Sequence, residues 1–307
     1  MKTVKLLCLL FALAADNSLK SQDIFQKHDL KIINISTYEL KMLNQYKDSS
    51  IDTRNRIFTD SIYTPNIHLW EGYVGEANNF LYWVNQTAYK ELDELNQKEK
   101  TIDIMALNNY FAKTIDKMTE MTGYSPKGVW YIFYGPKWMN LGGIDDGTML
   151  IDLAHKANKC FDDIAAFFPH EINHQIFNNI NPYKKNTVIN RIVDEGFACY
   201  VSYLYKGKKS SVAQELCYTE KEFQTCVENE REIFALIKEN RNSKERNEIE
   251  KFGARRYKFK EEYPGAIGYY IGFRIVEEYV KKYGKDSWKD LYTKDPETVF
   301  LESEILK

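Results

Sequence analysis

The chain has 307 residues, 44% of them hydrophobic, with 22 Tyr and 17 Phe, and this composition excludes a disordered protein. A formal net charge of −2 removes the electrostatic basis for binding nucleic acid or an anionic membrane. The basic stretches KGKK and GARRYKFK lie among acidic neighbours and read as solvated faces.

The chain opens with MKTVKLLCLLFALAA, in which Lys2 and Lys5 precede an apolar run from Leu6 to Ala15. This is the layout of a secretory signal peptide over residues 1–15, with cleavage extending as far as 21, and the run is too short to span a bilayer. Lys5 stands where a lipidation motif around Cys8 would need an apolar residue. The expectation is an exported protein, periplasmic or extracellular, with no membrane insertion. Beyond the leader lie Cys160, Cys199, Cys217 and Cys226. In an exported chain they permit two disulfides in any of three pairings, or four free buried thiols, and the spacing favours neither.

Residues 22–125 read as an N-terminal helical region. STYELKMLNQY, EANNFLYWVNQTAYKELDELNQ and TIDIMALNNYFAKTIDKMTEMTG carry apolar residues at three- and four-residue spacing. Gly123, Pro126 and Gly128 then break the pattern, and GVWYIFYGP follows as a buried strand. The turn LGGIDDG leads to a second short strand in TMLIDL. Helical spacing returns in FDDIAAFFPHEINHQIFNN, TVINRIVDEGFACYVSYLY, TEKEFQTCVENEREIFALIKEN and AIGYYIGFRIVEEYVKKYG. The fold class is α+β, mainly α, with a small central sheet. No linker separates 22–125 from 126–307, so one compact unit is expected.

The chemistry concentrates in FFPHEINHQIF. On a helix His170 and His174 project from one face, where both imidazoles can reach one ion at the ~2.0–2.1 Å that zinc requires. Glu171, one position round, is placed to reach a metal-bound water as a general base, which completes the H-E-x-x-H pattern. A catalytic zinc needs a third protein ligand. The next predicted helix offers the acidic pair Asp194 and Glu195, followed by Gly196, a residue that lets helices approach closely. Pro169 removes a backbone donor just before His170, so a kink or a late helix start is expected there.

FPHEINH, VDEGFACY and GYYIGFRIVEEY together resemble the gluzincin metallopeptidases, and in particular a bacterial family of predicted Zn-dependent proteases. The resemblance covers roughly residues 125 to 285. It implies that Glu195, rather than Asp194, is the third zinc ligand, and that Tyr269 supplies an oxyanion-stabilising hydroxyl, with Tyr270 the adjacent competitor. It also implies that an extended peptide adds as a neighbouring strand to TMLIDL. The pattern departs from the family where thermolysin-like enzymes carry an acidic residue four positions after the third ligand. Here that position is Cys199, so the group orienting the imidazoles is left open among Asp152, Asp163 and Asp194. The absence of the G-A-M-E-N signature favours an endopeptidase over an aminopeptidase.

The sequence reading is therefore an exported zinc metallopeptidase. Zn²⁺ is held, one per chain, by His170, His174 and Glu195, Glu171 is the general base, and a peptide or protein is the substrate. Two alternatives accompany it: a zinc-retaining gluzincin-like binding module without peptidase activity, and a zinc hydrolase of non-peptide bonds.

Overall fold

The computed structural model describes residues 23–144, 146–183, 185–238 and 240–306. The expected leader and its Cys8 lie outside the described residues. The chain divides into two units, residues up to 108 with 128–164, and residues 109–127 with 165–307.

The first unit is built on a five-stranded mixed sheet. Strands β1 (Asp23–Lys27) and β2 (Leu30–Asn34) form an antiparallel hairpin whose turn places His28 in the left-handed region, at φ 51°. β2 runs parallel to β3 (Gly128–Phe133), and β3 runs parallel to β5 (Met149–Asp152). β4 (Leu141–Gly143) pairs antiparallel with β5, giving the order β1-β2-β3-β5-β4. Both edges of β5 are thus occupied by partner strands. No peptide can add there, which corrects the expectation drawn from TMLIDL. The hairpin was not anticipated, because His28-Asp29 carries none of the Asn-Gly or Asp-Gly chemistry that marks a tight turn.

Helices α1 (Ser36–Tyr46), α2 (Ile51–Phe58), α3 (Ile67–Val74), α4 (Ala77–Trp83) and α5 (Leu92–Thr101) belong to the same unit. Trp70 is its anchor, fully buried with ring centroids 4.5 Å from Phe80 and 5.4 Å from Phe133. Each such aromatic removed from water contributes roughly 1.5–3 kcal/mol. That burial explains why so many aromatics fall at helical spacing in this region.

Helix α6 (Ile104–Thr122) leads into the second unit. The unit also holds α7 (Phe161–Ile180) from residue 165, then α8 (Val188–Lys206), α9 (Val212–Glu215), α10 (Glu220–Glu228), α11 (Glu230–Ala235), α12 (Arg246–Gly253), α13 (Ile267–Tyr283), a 3-10 turn (Ser287–Tyr292) and α14 (Pro296–Ser303). The protein is mainly helical with a small mixed sheet. Among the described residues no helix is long and apolar enough to cross a membrane.

Two local features position the site. Helix α7 starts at Phe161 and continues through Pro169, so the late start expected at the proline does not occur. Pro169 cannot donate to Ala165, and the Tyr110 hydroxyl takes over that carbonyl at 2.9 Å. Helix α8 begins where the Thr187 side chain accepts from the Asn190 amide. It crosses α13 at two glycines: a Cβ on Gly196 would fall 2.0 Å from the Gly272 carbonyl carbon, and one on Gly272 would fall 1.9 Å from the Ile192 carbonyl oxygen. Gly196 therefore serves contact with α13, not with the histidine helix.

Candidate metal centre

His170 and His174 lie one turn apart on α7, and Glu195 faces them from α8. The His174 Nε2 is 3.0 Å from the His170 Nε2 and 3.2 Å from the Glu195 Oε2. The third edge, His170 Nε2 to Glu195 Oε2, is 3.4 Å. Ligand atoms ~2.0–2.1 Å from a tetrahedral ion stand roughly 3.3–3.4 Å from one another, so this triangle has the size of three corners of such a site. His174 and Glu195 are buried and His170 is partly so.

The outer nitrogens decide what the inner ones present. His174 Nδ1 lies 2.8 Å from Asp194 Oδ1, and since a carboxylate only accepts, the nitrogen carries the proton. Asp194 is thus the orienting group for this histidine. Asp152 accepts instead from the amides of Gly135, Lys137 and Ala154, and Asp163 from the amides of Lys159 and Cys160. The His170 Nδ1 is 3.7 Å from Cys199 Sγ, while that thiol donates to the Glu215 carbonyl at 3.4 Å. The sulfur is then free to accept from Nδ1–H. Cys199 is thus the outer partner of His170, weaker than the carboxylate that meets His174.

In these tautomers both Nε2 atoms and Glu195 Oε2 turn lone pairs toward a common point. Three convergent lone pairs repel unless positive charge sits between them, as a proton on one ring or as a bound cation. Burial pushes the His174 imidazole down, but Asp194 and Glu195 outweigh it and hold the ring's pKa well above the usual range. Burial likewise pushes the Glu195 carboxyl up. The Arg191 guanidinium, 2.5 Å from Oε1, and His174 reverse that and hold it well below the carboxylate range. Glu195 is therefore an anion in the folded protein, as a metal ligand must be.

The remaining expected residues fall around this triangle. The Tyr269 ring stacks on His170, with centroids 6.2 Å apart and planes 3° from parallel, and burial together with the nearby Glu195 carboxylate pushes its hydroxyl well above the ordinary phenol range. Tyr270 points elsewhere, donating to Glu230 Oε1 at 2.8 Å. Glu171 is half-buried and within reach of the Arg191 charge. Two participants went unnoticed in the sequence. Arg191 could have been found as the residue four before Glu195 on one helix face. Arg255, in the GARRYKFK stretch read as a solvated face, lies over the rings of both Tyr218 and Tyr269, at 5.1 and 5.4 Å. Only the fold brings it there.

Residues 163–305 match a lipoprotein family described as Gliding motility protein GldB. The match covers just under half of the 307-residue chain and contains every residue of the triangle. No curated protein and no solved structure matches the chain. The match corrects the resemblance to gluzincin-type zinc proteases, and with it the expectation of a zinc metallopeptidase, hydrolase or gluzincin-like binding module. H-E-x-x-H and E-G-F-A are short patterns that a helix pair can carry for packing. Gly196 of E-G-F-A and Gly272 of GYYIGFRIVEEY are accounted for by the α8–α13 crossing. The general-base role for Glu171 was read from the H-E-x-x-H spacing and the oxyanion role for Tyr269 was implied by that resemblance; without a peptidase neither has a hydrolytic step to serve.

Proposed function

We propose that this chain is an exported protein of the gliding-motility type, working without hydrolytic chemistry. His170, His174 and Glu195 hold one zinc ion in it, as a tie between α7 and α8. The observation that carries the motility reading is the match to Gliding motility protein GldB over residues 163–305. Export is supported by the signal-peptide layout of MKTVKLLCLLFALAA, and the lipoprotein character of the family agrees with it. The zinc reading is supported by the donor set, two imidazoles and one carboxylate, and by their convergence on one point. When bound, the metal supplies a cross-link that replaces mutual repulsion of the three donors with a shared attraction. Arg191 holds Glu195, Asp194 orients His174, and Cys199 orients His170.

The test is made in the native host. Cells lacking the chain should fail to spread over a surface. The wild-type chain should restore spreading, whereas a His174→Ala chain present at equal level should not. Normal gliding by the deletion strain would end the motility reading. Full rescue by His174→Ala would end the role given to the metal.

A further inference from the structure

A cavity of about 630 Å³ opens in the second unit between α6, α8, α13 and the 3-10 turn. Its volume lies within the ~300–1,000 Å³ of small-molecule sites. The floor is apolar: Trp288, buried, with Val280 and the partly exposed Leu204. Three lysines stand around it, Lys117, Lys285 and Lys289. The Lys289 ammonium lies 5.6 Å from the Trp288 ring centroid, and Lys117 donates to the Tyr205 carbonyl at 2.6 Å while lying 4.1 Å over the Tyr205 ring. Two carboxylates, Glu120 and Asp286, also line it. No ion pair within 4.0 Å joins any of the three lysines to either carboxylate, and three ammonium groups outnumber two carboxylates around an apolar floor.

We infer that this cavity binds an anionic amphiphile with a single aliphatic tail. The tail lies on Trp288, Val280 and Leu204, and a carboxylate or phosphate head sits among Lys117, Lys285 and Lys289. The chemistry is complementary on both counts. The floor gains by shedding water from apolar surface, and ammonium groups already held near aromatic rings gain a charge-assisted partner. A neutral apolar ligand would leave the lysines unanswered, and a small anion would leave the floor wet. The site is separate from the histidine triangle and does not depend on it.

Isothermal titration of the full mature chain with laurate and with dodecyl phosphate, both below micelle formation, tests this. Dodecanol and inorganic phosphate serve as the half-ligands. Saturable one-to-one binding of at least one of the two amphiphiles is expected, and laurate against dodecyl phosphate identifies the preferred head. Each half-ligand should bind more weakly than the amphiphile. A Lys285→Glu/Lys289→Glu variant changes only exposed side chains and should lose roughly tenfold or more in affinity. Leu204→Asp, on the floor, should lose binding as well, with circular dichroism confirming that both variants fold. No saturable binding of either amphiphile overturns the inference. So does equal binding of dodecanol or of phosphate alone, or unchanged affinity in both variants.

Discussion

Gly196 and Gly272 meet so closely that either Cβ would fall about 2 Å from the other helix's backbone, 2.0 Å in one direction and 1.9 Å in the other. Alanine normally favours a helix over glycine by ~1 kcal/mol, but here the added methyl would have to push two backbones apart. Overpacking of this kind costs roughly 1–3 kcal/mol, and more where backbone rather than side chain must give way. Gly196→Ala should therefore destabilise the protein by that order in urea unfolding. It should also weaken metal binding, because Glu195 is the neighbouring residue. An unchanged midpoint would contradict the tight crossing.

In the first unit two buried acids set a pH dependence. Burial pushes the Asp152 carboxyl up to about 6 and holds Glu39, whose Oε2 accepts from the Tyr134 amide at 2.8 Å, well above its usual range. Between the unfolded value and the raised folded value the folded state holds a proton that the unfolded state has lost. Stability from these groups is therefore full below the ordinary carboxylate range and falls as pH rises, by up to ~1.4 kcal/mol per unit per group. For Asp152 the fall ends near pH 6, and for Glu39 it extends further. Glu39→Gln keeps the acceptor and removes the ionisation. Its stability relative to wild type should rise from pH 5 to pH 8, measured by denaturant unfolding. A constant difference across that range would refute the assignment.

Helices α1, α4 to α8 and α13 and the strands β3 and β5 were legible because apolar spacing and Gly-Pro punctuation act locally, whereas α9 (four residues) and α12 (eight residues, in a stretch that read as a polar loop) are too short to show a period. The β1–β2 hairpin was not legible either, since its turn relies on His28 at positive φ and its pairing partner β3 lies about a hundred residues away. At the site, the i,i+4 spacing of His170 and His174 fixed their common face, while Glu195 and Asp194 could be separated only by which nitrogen each meets. The Tyr110 hydroxyl that replaces the bond lost at Pro169 leaves no trace in the local sequence. Neither does the reach of Arg255 to Tyr269.

Glu171 distinguishes a motility protein from a hydrolase. A Glu171→Gln side chain is nearly isosteric and removes any general base, which in a zinc hydrolase costs orders of magnitude in rate. In the reading proposed here Glu171 carries no chemistry, so Glu171→Gln should restore surface spreading to a deletion strain as fully as the wild-type chain. Loss of spreading with normal protein level and metal content would reinstate a chemical role.

Cys160, Cys199, Cys217 and Cys226 are all free, so the option of two disulfides is not realised. Reductant should leave the thermal midpoint unchanged, and the denatured mature protein should titrate four thiols without prior reduction. Two or fewer would mean that a bridge forms.

Asp194 is the most informative single residue of the proposed metal centre. Its carboxylate fixes the His174 tautomer and adds basicity to the nitrogen facing Glu195 and His170. Removing such an outer partner typically lowers metal affinity 10–100-fold while leaving all ligands in place. Asp194→Ala should show a loss in that range when zinc is competed against a chromogenic chelator. Asp194→Asn, whose oxygen still accepts but without charge, should fall between Asp194→Ala and wild type. His174→Ala should abolish stoichiometric binding, because two donors remain where a zinc site needs three or four. The ordering of the three variants separates a built site from adventitious zinc on surface carboxylates, which would bind the same in all of them.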